Sequence, residues 1–523
     1  MNPWSELKSE IAKATGGKVE YPKQADLAVP CFKMGGNPVE TASKLAKVIK
    51  IKNVEVKAQG PYLNFYIDWS KFGQVILKGI KKDYGKGSEK EKIMVEFAHP
   101  NTHKGFHIGH VRNICIGSSL CNILEWRGNK VIRTNYQGDV GPHISKVLWG
   151  LENLNLKPPK TGKAKWLGEV YAKASSALKD KEDEIKKITA DMYDGKLSKE
   201  LVKLWKETRD WSLQYFDAIY KDFGVKYDRL YFESELTEKG KEYSLELLKK
   251  GVAKKSEGAI VVDLTAKDLG VAVLITKQGY ALYNAKELYL AELQFGEFKP
   301  DKIIHVVAVP QTLFFKQLFE LHKHHNPEWS KKSFHLSYEL VGLKGEKMAS
   351  RLGNVVLYDE LIEKIRDKIS EKSKKNVQEI SMAALKYGML KYDNNRKILF
   401  DWEASLQIKG DTGPYLQYTY ARASSILKKG GAGKIGELAK EEVKLLKMLA
   451  IFPEIVERSA NEWQPHHLAN YLHELSEEFN SYYQSTKVIG SELEKERLAL
   501  VEKIKIVLGI GLGLLGIETL EEM

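Results

Sequence analysis

The chain is poor in cysteine: Cys31, Cys115 and Cys121 are the only three in 523 residues. An odd number with no C-x-x-C pair builds neither a disulfide framework nor a cysteine-ligated zinc site. Long apolar runs are also lacking. The longest, Ile506 to Ile517, has 12 residues, too few to span a bilayer as a helix. The opening residues Met1-Asn2-Pro3-Trp4-Ser5-Glu6 carry no basic stretch followed by an apolar one, so no secretory signal is expected. These absences predict a reduced, cytoplasmic protein with no membrane partner. No internal repeat stands out at solenoid periods. Gly511-Leu512-Gly513-Leu514-Leu515-Gly516 matches G-x-G-x-x-G, but a dinucleotide site needs a strand before it and an acidic residue about twenty positions after it. Here the pattern lies inside an apolar helical stretch, and a nicotinamide site is not expected.

What is present is a large, basic, globular chain. Its length exceeds what one core serves and predicts about two to four domains. Charged residues make up 29% and aromatics 10%, the mix of a folded protein. A net charge of +13 and a pI near 9.1 fit a polyanionic partner, although a generally lysine-rich surface would give the same balance.

Periodicity divides the chain. Residues 1–88 read as a small α+β unit, with helices at Trp4–Thr15 and Pro38–Ile51 and short alternating strands at Val54–Lys57 and Leu63–Ile67. A polar stretch, Lys81 to Ser88, reads as a linker. A strand over 92–97, a helix over 107–127 and a strand over Lys130–Asn135 then make a βαβ unit, which calls for a parallel sheet with ligands at the carboxyl ends of its strands. Residues from about 150 to 255 are helical and charge-dense, an insertion between the halves of that sheet. Strand patterns return at Ala259–Leu264 and Ala272–Thr276, and a βα step at Ile303–Val309 and Gln311–His325. From 406 to 523 the spacing of apolar residues is that of a helix bundle.

Chemistry concentrates at His107-Ile108-Gly109-His110, where a strand and short loop enter a helix. A helix start offers unpaired N–H groups and the positive end of the helix dipole, a natural seat for phosphate. His107 and His110 share a face, Gly109 lets a ligand approach the backbone, and Lys104 can reach a phosphate as a point charge. Taken alone, two histidines satisfied by nearby backbone explain the motif equally well. A zinc reading of His103, His107 and His110 also stays open, though no carboxylate or thiol stands nearby to complete it. The cluster His322 to His325 reads as the exposed end of a helix.

A second basic loop, Lys347-Met348-Ala349-Ser350-Arg351, lies 240 positions on. The pair resembles the HIGH and KMSKS elements of class I aminoacyl-tRNA synthetases. Val95-Glu96-Phe97-Ala98-His99-Pro100-Asn101, Lys104, Val111-Arg112-Asn113, Asn135 to Gly141, and Gly410 to Tyr418 followed by Tyr420-Ala421-Arg422 are similar to the arginyl-tRNA synthetase family. The resemblance spans nearly the whole chain and is thinnest at 150–255. It implies an α/β, Rossmann-like class I catalytic domain over 89–405. It implies an N-terminal tRNA-binding module before that domain and an α-helical anticodon-binding bundle after it, with Tyr415, Tyr418, Tyr420, Trp463, Tyr482 and Tyr483 as candidate stacking residues. The implied partners are L-arginine, ATP with Mg²⁺ and tRNA(Arg), with no DNA, no membrane and no tightly bound cofactor. Catalysis would fall to Lys104, His107, His110, Lys347 and Arg351, and ATP would also touch Gly109 and Met348.

The same resemblance implies an arginine pocket of Glu96, His99, Pro100, Asn101, His110, Tyr283, Glu287 and Gln311. A guanidinium is a rigid fork of five donors, always charged, so burying it demands carboxylates and acceptors. Glu287 stands one helical turn after Tyr283. Three positions depart from the family pattern: His99 replaces serine, Glu287 replaces aspartate, and Leu352 replaces a lysine after the second loop. A cysteinyl-type synthetase would need cysteine metal ligands that three scattered cysteines do not supply. A relative that kept the fold and lost catalysis is the other alternative the departures leave open.

Overall fold

The computed structural model describes residues 2–177, 181–344 and 356–523. They form two compact units. One runs to Gly87 and takes in Gln407–Glu462 and His467–Met523; the other holds Ser88–Leu406 with Trp463–His466. Lys347, Met348, Arg351 and Leu352 lie outside the described residues.

The second unit is built on a five-stranded parallel sheet. Strand β1 (Lys92–Glu96) leads to helix α1 (Ile108–Trp126) and strand β2 (Lys130–Gln137). Further helices follow, the longest being α2 (Lys199–Phe223), then strand β3 (Arg229–Phe232) and helix α3 (Glu233–Lys249). Helix α4 (Tyr283–Phe298), strand β4 (Lys302–Ala308), helix α5 (Thr312–His325) and strand β5 (Ser333–Tyr338) complete the core. The strand order is β5-β4-β1-β2-β3, with every neighbouring pair parallel. Ile93, Met94 and Val95 are buried in succession, as expected of a strand covered on both faces. The chain grows outward from β1 through β2 to β3, then crosses back to place β4 on the other side of β1. Ligands bind at the carboxyl ends of strands where such a reversal occurs, which points to the ends of β1 and β4.

Three expectations about this unit are corrected. The stretch 150–255 is not helical throughout, because Arg229–Phe232 adds the fifth strand of the main sheet beside β2. Four residues are too few to display a period of two. The strands Ala259–Asp263 and Val271–Ile275 do not join that sheet; with Lys254–Ser256 they form a separate antiparallel one. His322, expected at an exposed helix end, is buried at 1% exposure beside Phe319 and Trp329.

In the first unit, a three-stranded antiparallel sheet has Tyr62–Ile67 at its centre. The bundle helices are Gly413–Gly430, Val443–Asn461, His466–Ser485 and Glu494–Leu514. Gly511 lies inside the last of them, and a Cβ there would fall 2.4 Å from Leu472 Cδ2. Gly511 thus serves close helix packing, whereas a Cβ at Gly513 would meet nothing within 4 Å. Among the described residues, no helix is long and apolar enough to cross a membrane.

Candidate active site

The loop from β1 to α1 is held in an uncommon shape. Ala98, His99 and His103 have φ of 82°, 52° and 64°, a left-handed region that costs a non-glycine residue about 1 kcal/mol or more. Buried amides offset that cost. Asn113 Oδ1 accepts from Ala98 N at 2.5 Å while its Nδ2 donates to Val306 O at 2.7 Å. Asn135 Oδ1 accepts from His99 N at 3.1 Å and its Nδ2 donates to Tyr220. His103 is structural: its Nδ1 lies 3.0 Å from Thr102 Oγ1 and its Nε2 lies 2.8 Å from Thr208 Oγ1. With both nitrogens engaged, it is not free to join His107 and His110 on a metal. Arg112, fully buried, fans its guanidinium over the carbonyls of Glu339, Leu340, Asp393 and Asn394 and ties α1 to the segments around them.

The histidine corner differs from the expected phosphate seat. His107 is the N-cap of α1, and its Nδ1 accepts from Gly109 N at 3.1 Å and His110 N at 3.4 Å. His110 Nδ1 in turn accepts from His107 N at 3.1 Å. Ile108 N donates to Val356 O, and Val111 N to His107 O. The first-turn N–H groups are therefore all taken, and backbone donors do not greet a phosphate here. The side chains do. Because each Nδ1 accepts, the neutral tautomer of each ring carries its hydrogen on Nε2. The rings stack 3.6 Å apart, so two N–H donors are presented side by side. Burial, with the charge of Lys104 adding to it, lowers His107 to about 4 and keeps His110 well below the usual histidine range; both are neutral donors at neutral pH. A Cβ at Gly109 would meet the His107 ring at 3.0 Å, so that glycine makes room for the cap. Lys104 is exposed. Downstream of the second signature sequence, Val356 O accepts from Ile108 N and Tyr358 N donates to Phe106 O. Val356 and Tyr358 are thus held beside the histidines.

A cavity of about 280 Å³ opens at the ends of β1 and β4. Of the eight residues expected to hold arginine, Glu96, His99, Asn101, Tyr283, Glu287 and Gln311 line it. Pro100 is buried in the loop and is not on the wall; His110 belongs to the neighbouring corner, near enough to His99 to feel its charge. His99 Nε2 is buried without a hydrogen-bond partner. The wall also holds Tyr136, Glu233, Val307, Phe314 and Phe315, which sequence reasoning missed. Glu233 opens α3, directly after the short strand β3, in the stretch where the family pattern is weakest. It is 5% exposed and paired with Lys286 Nζ at 2.5 Å. Asp139 fixes that end of α3 by accepting from Ser234 N and Oγ and pairing with Arg209.

Three buried carboxylates thus face one small space, and their surroundings differ. Burial pushes Glu96 up, but His305, with His99 and Gln294 behind it, outweighs that and holds it below the usual carboxylate range. Burial pushes Glu287 well above that range, and the charges of Glu96 and Glu233 push it the same way. Glu233 is raised by burial against the pull of Lys286.

Helices α3 and α4, which carry Glu233 and Glu287, touch at Gly240. A Cβ there would stand 2.6 Å from the carbonyl oxygen of Ala285, and backbone on both sides leaves nothing to swing aside. Gly240→Ala is expected to cost about 1–3 kcal/mol by overpacking. A lower midpoint in thermal unfolding checks it; an unchanged midpoint would refute the close contact.

A switch-point cavity beside a histidine-capped helix on a parallel sheet has the form of a class I aminoacyl-tRNA synthetase catalytic domain. The model for "tRNA synthetases class I (R), catalytic domain" matches residues 72–402, and that for "DALR anticodon binding domain" matches 416–523. Arginine–tRNA ligase of Bdellovibrio bacteriovorus is 34% identical, covering 99% of this chain and 96% of its own. That of Treponema denticola is 34% identical over 96% and 93%. Arginyl-tRNA synthetase of Thermus thermophilus superposes with a TM-score of 0.82 at 26% identity, covering 100% of both chains. The chain belongs to the arginyl-tRNA synthetase family.

Proposed function

We propose that this protein is an ATP-dependent arginine–tRNA ligase. It activates L-arginine to arginyl-adenylate with release of pyrophosphate, then transfers arginine to the 3′ end of tRNA(Arg). The observation that carries the substrate assignment is the convergence of Glu96, Glu287 and Glu233 on one cavity. A buried planar cation with five donors is the guest such a wall would hold, and the volume suits a ligand of amino-acid size.

An arginine carboxylate oxygen attacks the α-phosphorus of ATP, and the bond to pyrophosphate breaks. Such a transfer needs positioning and stabilisation of charge on phosphate oxygens. His107 and His110 supply two neutral Nε2–H donors at the strand end, and Lys104 adds a mobile positive charge. Lys347, Met348 and Arg351 are assigned to the other side of the triphosphate on the family pattern alone. Imidazole N–H groups and ammonium do not coordinate Mg²⁺, which takes oxygen ligands; magnesium would arrive on the triphosphate. For tRNA, Tyr418, Arg422 and Tyr483 line a cleft of about 960 Å³ with Lys428, Lys429 and Lys505, a combination suited to stacking bases and tracking phosphates. Tyr415 and Tyr482 are buried and so belong to the core, whereas Trp463 is partly buried with its ring against Phe334.

Aminoacylation with ATP and bulk tRNA across the twenty amino acids tests the assignment: arginine alone should be charged, and charging of another amino acid would overturn it.

The carboxylates also set a pH dependence. A guanidinium pairs with ionised Glu287, but in the empty pocket burial and its acidic neighbours keep that group protonated above the usual carboxylate range. Binding therefore expels a proton. The Michaelis constant for arginine should fall as pH rises towards the raised Glu287 value, by up to about tenfold per unit, and level off above it. Calorimetry in buffers of different ionisation enthalpy should register the released proton in the native protein and none in Glu287→Gln. Equal heats in all buffers for the native protein would refute the coupling.

A further inference from the structure

His305 has no part in the arginine pocket as read so far, and it does not line the cavity. It sits on β4 directly opposite Glu96 on β1 in the parallel register, so both side chains leave the same face of the sheet. His305 Nδ1 lies 3.0 Å from Glu96 Oε1. Gln294 Nε2, from α4, donates to the other oxygen. Glu96, His305 and Gln294 are each no more than 3% exposed. Phe315 and Phe319 pack on the imidazole at 5.2 Å and 6.2 Å between centroids, which leaves the ring little freedom to turn. An ionised carboxylate only accepts, so Nδ1 is the donor. Two donors from two elements thus use one lone pair on each Glu96 oxygen, and one on each remains for a ligand.

We propose that His305 is a positioning residue for arginine: its Nδ1–H fixes the Glu96 carboxylate so that the free lone pairs of both oxygens face the cavity. The proposal rests on the reading of that cavity as the arginine pocket. The effect is both geometric and electrostatic. Without the donor, Glu96 keeps the Gln294 hydrogen bond against burial; Glu287, Tyr136 and Tyr231 are the other titratable groups near it. His99 would be the imidazole still acting on it. The charged or titratable neighbours of His305 itself are Glu96, His99, His322 and His335.

Four variants of the full chain test this in arginylation with tRNA. His305→Phe keeps a flat ring and removes the donor. His305→Asn places an amide N–H near Nδ1, whereas His305→Gln carries its amide further out. Glu96→Gln reports on the pocket. The Michaelis constant for arginine should rise about tenfold or more in the phenylalanine and glutamine variants, stay near native in the asparagine variant, and leave that for ATP little changed. The arginine constant of His305→Phe should also improve with rising pH more steeply than that of the native protein, as Glu96 loses the group that keeps it ionised. If the phenylalanine variant does not fold, asparagine against glutamine decides. Equal arginine constants in those two, or a native constant in His305→Phe, overturn the proposal provided Glu96→Gln is impaired. An unimpaired Glu96→Gln instead overturns the pocket reading on which it rests.

Discussion

Replacing His110 with alanine is expected to lower the turnover of arginylation by about 30- to 1,000-fold at saturating ATP and arginine, roughly 2–4 kcal/mol lost from the transition state. The reason is specific to this corner. With Ile108, Gly109, His110 and Val111 all spending their N–H groups within the cap or on Val356, the helix start has no reserve of backbone donors. The imidazole Nε2–H groups are what remains to meet charge developing on phosphate. The variant also deprives His107 N of its acceptor, so part of the loss could come from a loosened cap. His110→Gln separates the two, since its amide can donate from near the Nε2 position but does not rebuild the Nδ1 acceptor; it should recover part of the turnover. Because burial holds His107 at about 4 and His110 lower, neither titrates near pH 6.5. Turnover of the native protein should therefore show no histidine step between pH 6 and 8. A single-turnover rate for His110→Ala equal to that of the native protein would remove this side chain from the chemistry.

The outline of that corner was legible in the sequence because its information is local. Strand, loop and histidine-capped helix occupy adjacent residues, and the three-residue spacing of His107 and His110 fixes their common face. Tyr283 and Glu287 were named through the family resemblance, and local spacing added only that they stand one turn apart on α4. The fate of the backbone donors was not legible: whether a side chain caps its own helix depends on χ angles that no periodicity reports. Glu233 was hidden because β3 is only four residues long, so the helix it opens read as part of a featureless insertion. His305 was hidden by distance. It meets Glu96 across 209 positions, and their partnership depends on the sheet register between β1 and β4. His322 misled because a run of histidines at a helix end looks solvated, and the packing of Trp329 over it comes from the following helix.

Glu96→Gln is expected to raise the Michaelis constant for arginine by about 30- to 150-fold, roughly 2–3 kcal/mol, with a much smaller change for ATP. Size is conserved, so the loss reports charge and hydrogen bonding. Three effects are at work, the first two lowering arginine affinity and the third opposing them. The guanidinium loses its one fully ionised partner, since Glu287 is held neutral in the empty pocket and Glu233 already belongs to Lys286. The new amide must present an N–H₂ group to either His305 or Gln294, both of which donate to Glu96 in the native arrangement, so one donor pair is set against another in a dry site. Finally, removing the Glu96 charge relieves the repulsion on Glu287, which then ionises more readily and recovers part of the attraction. That last effect bounds the loss from above and gives the prediction its signature: the pH dependence of arginine binding should shift to lower pH in Glu96→Gln. A variant that loses arginine and ATP affinity equally would place Glu96 outside the pocket. One that loses arginine affinity with an unshifted pH profile would mean that Glu96 and Glu287 do not sense each other across the cavity, and that the two carboxylates hold the guanidinium independently.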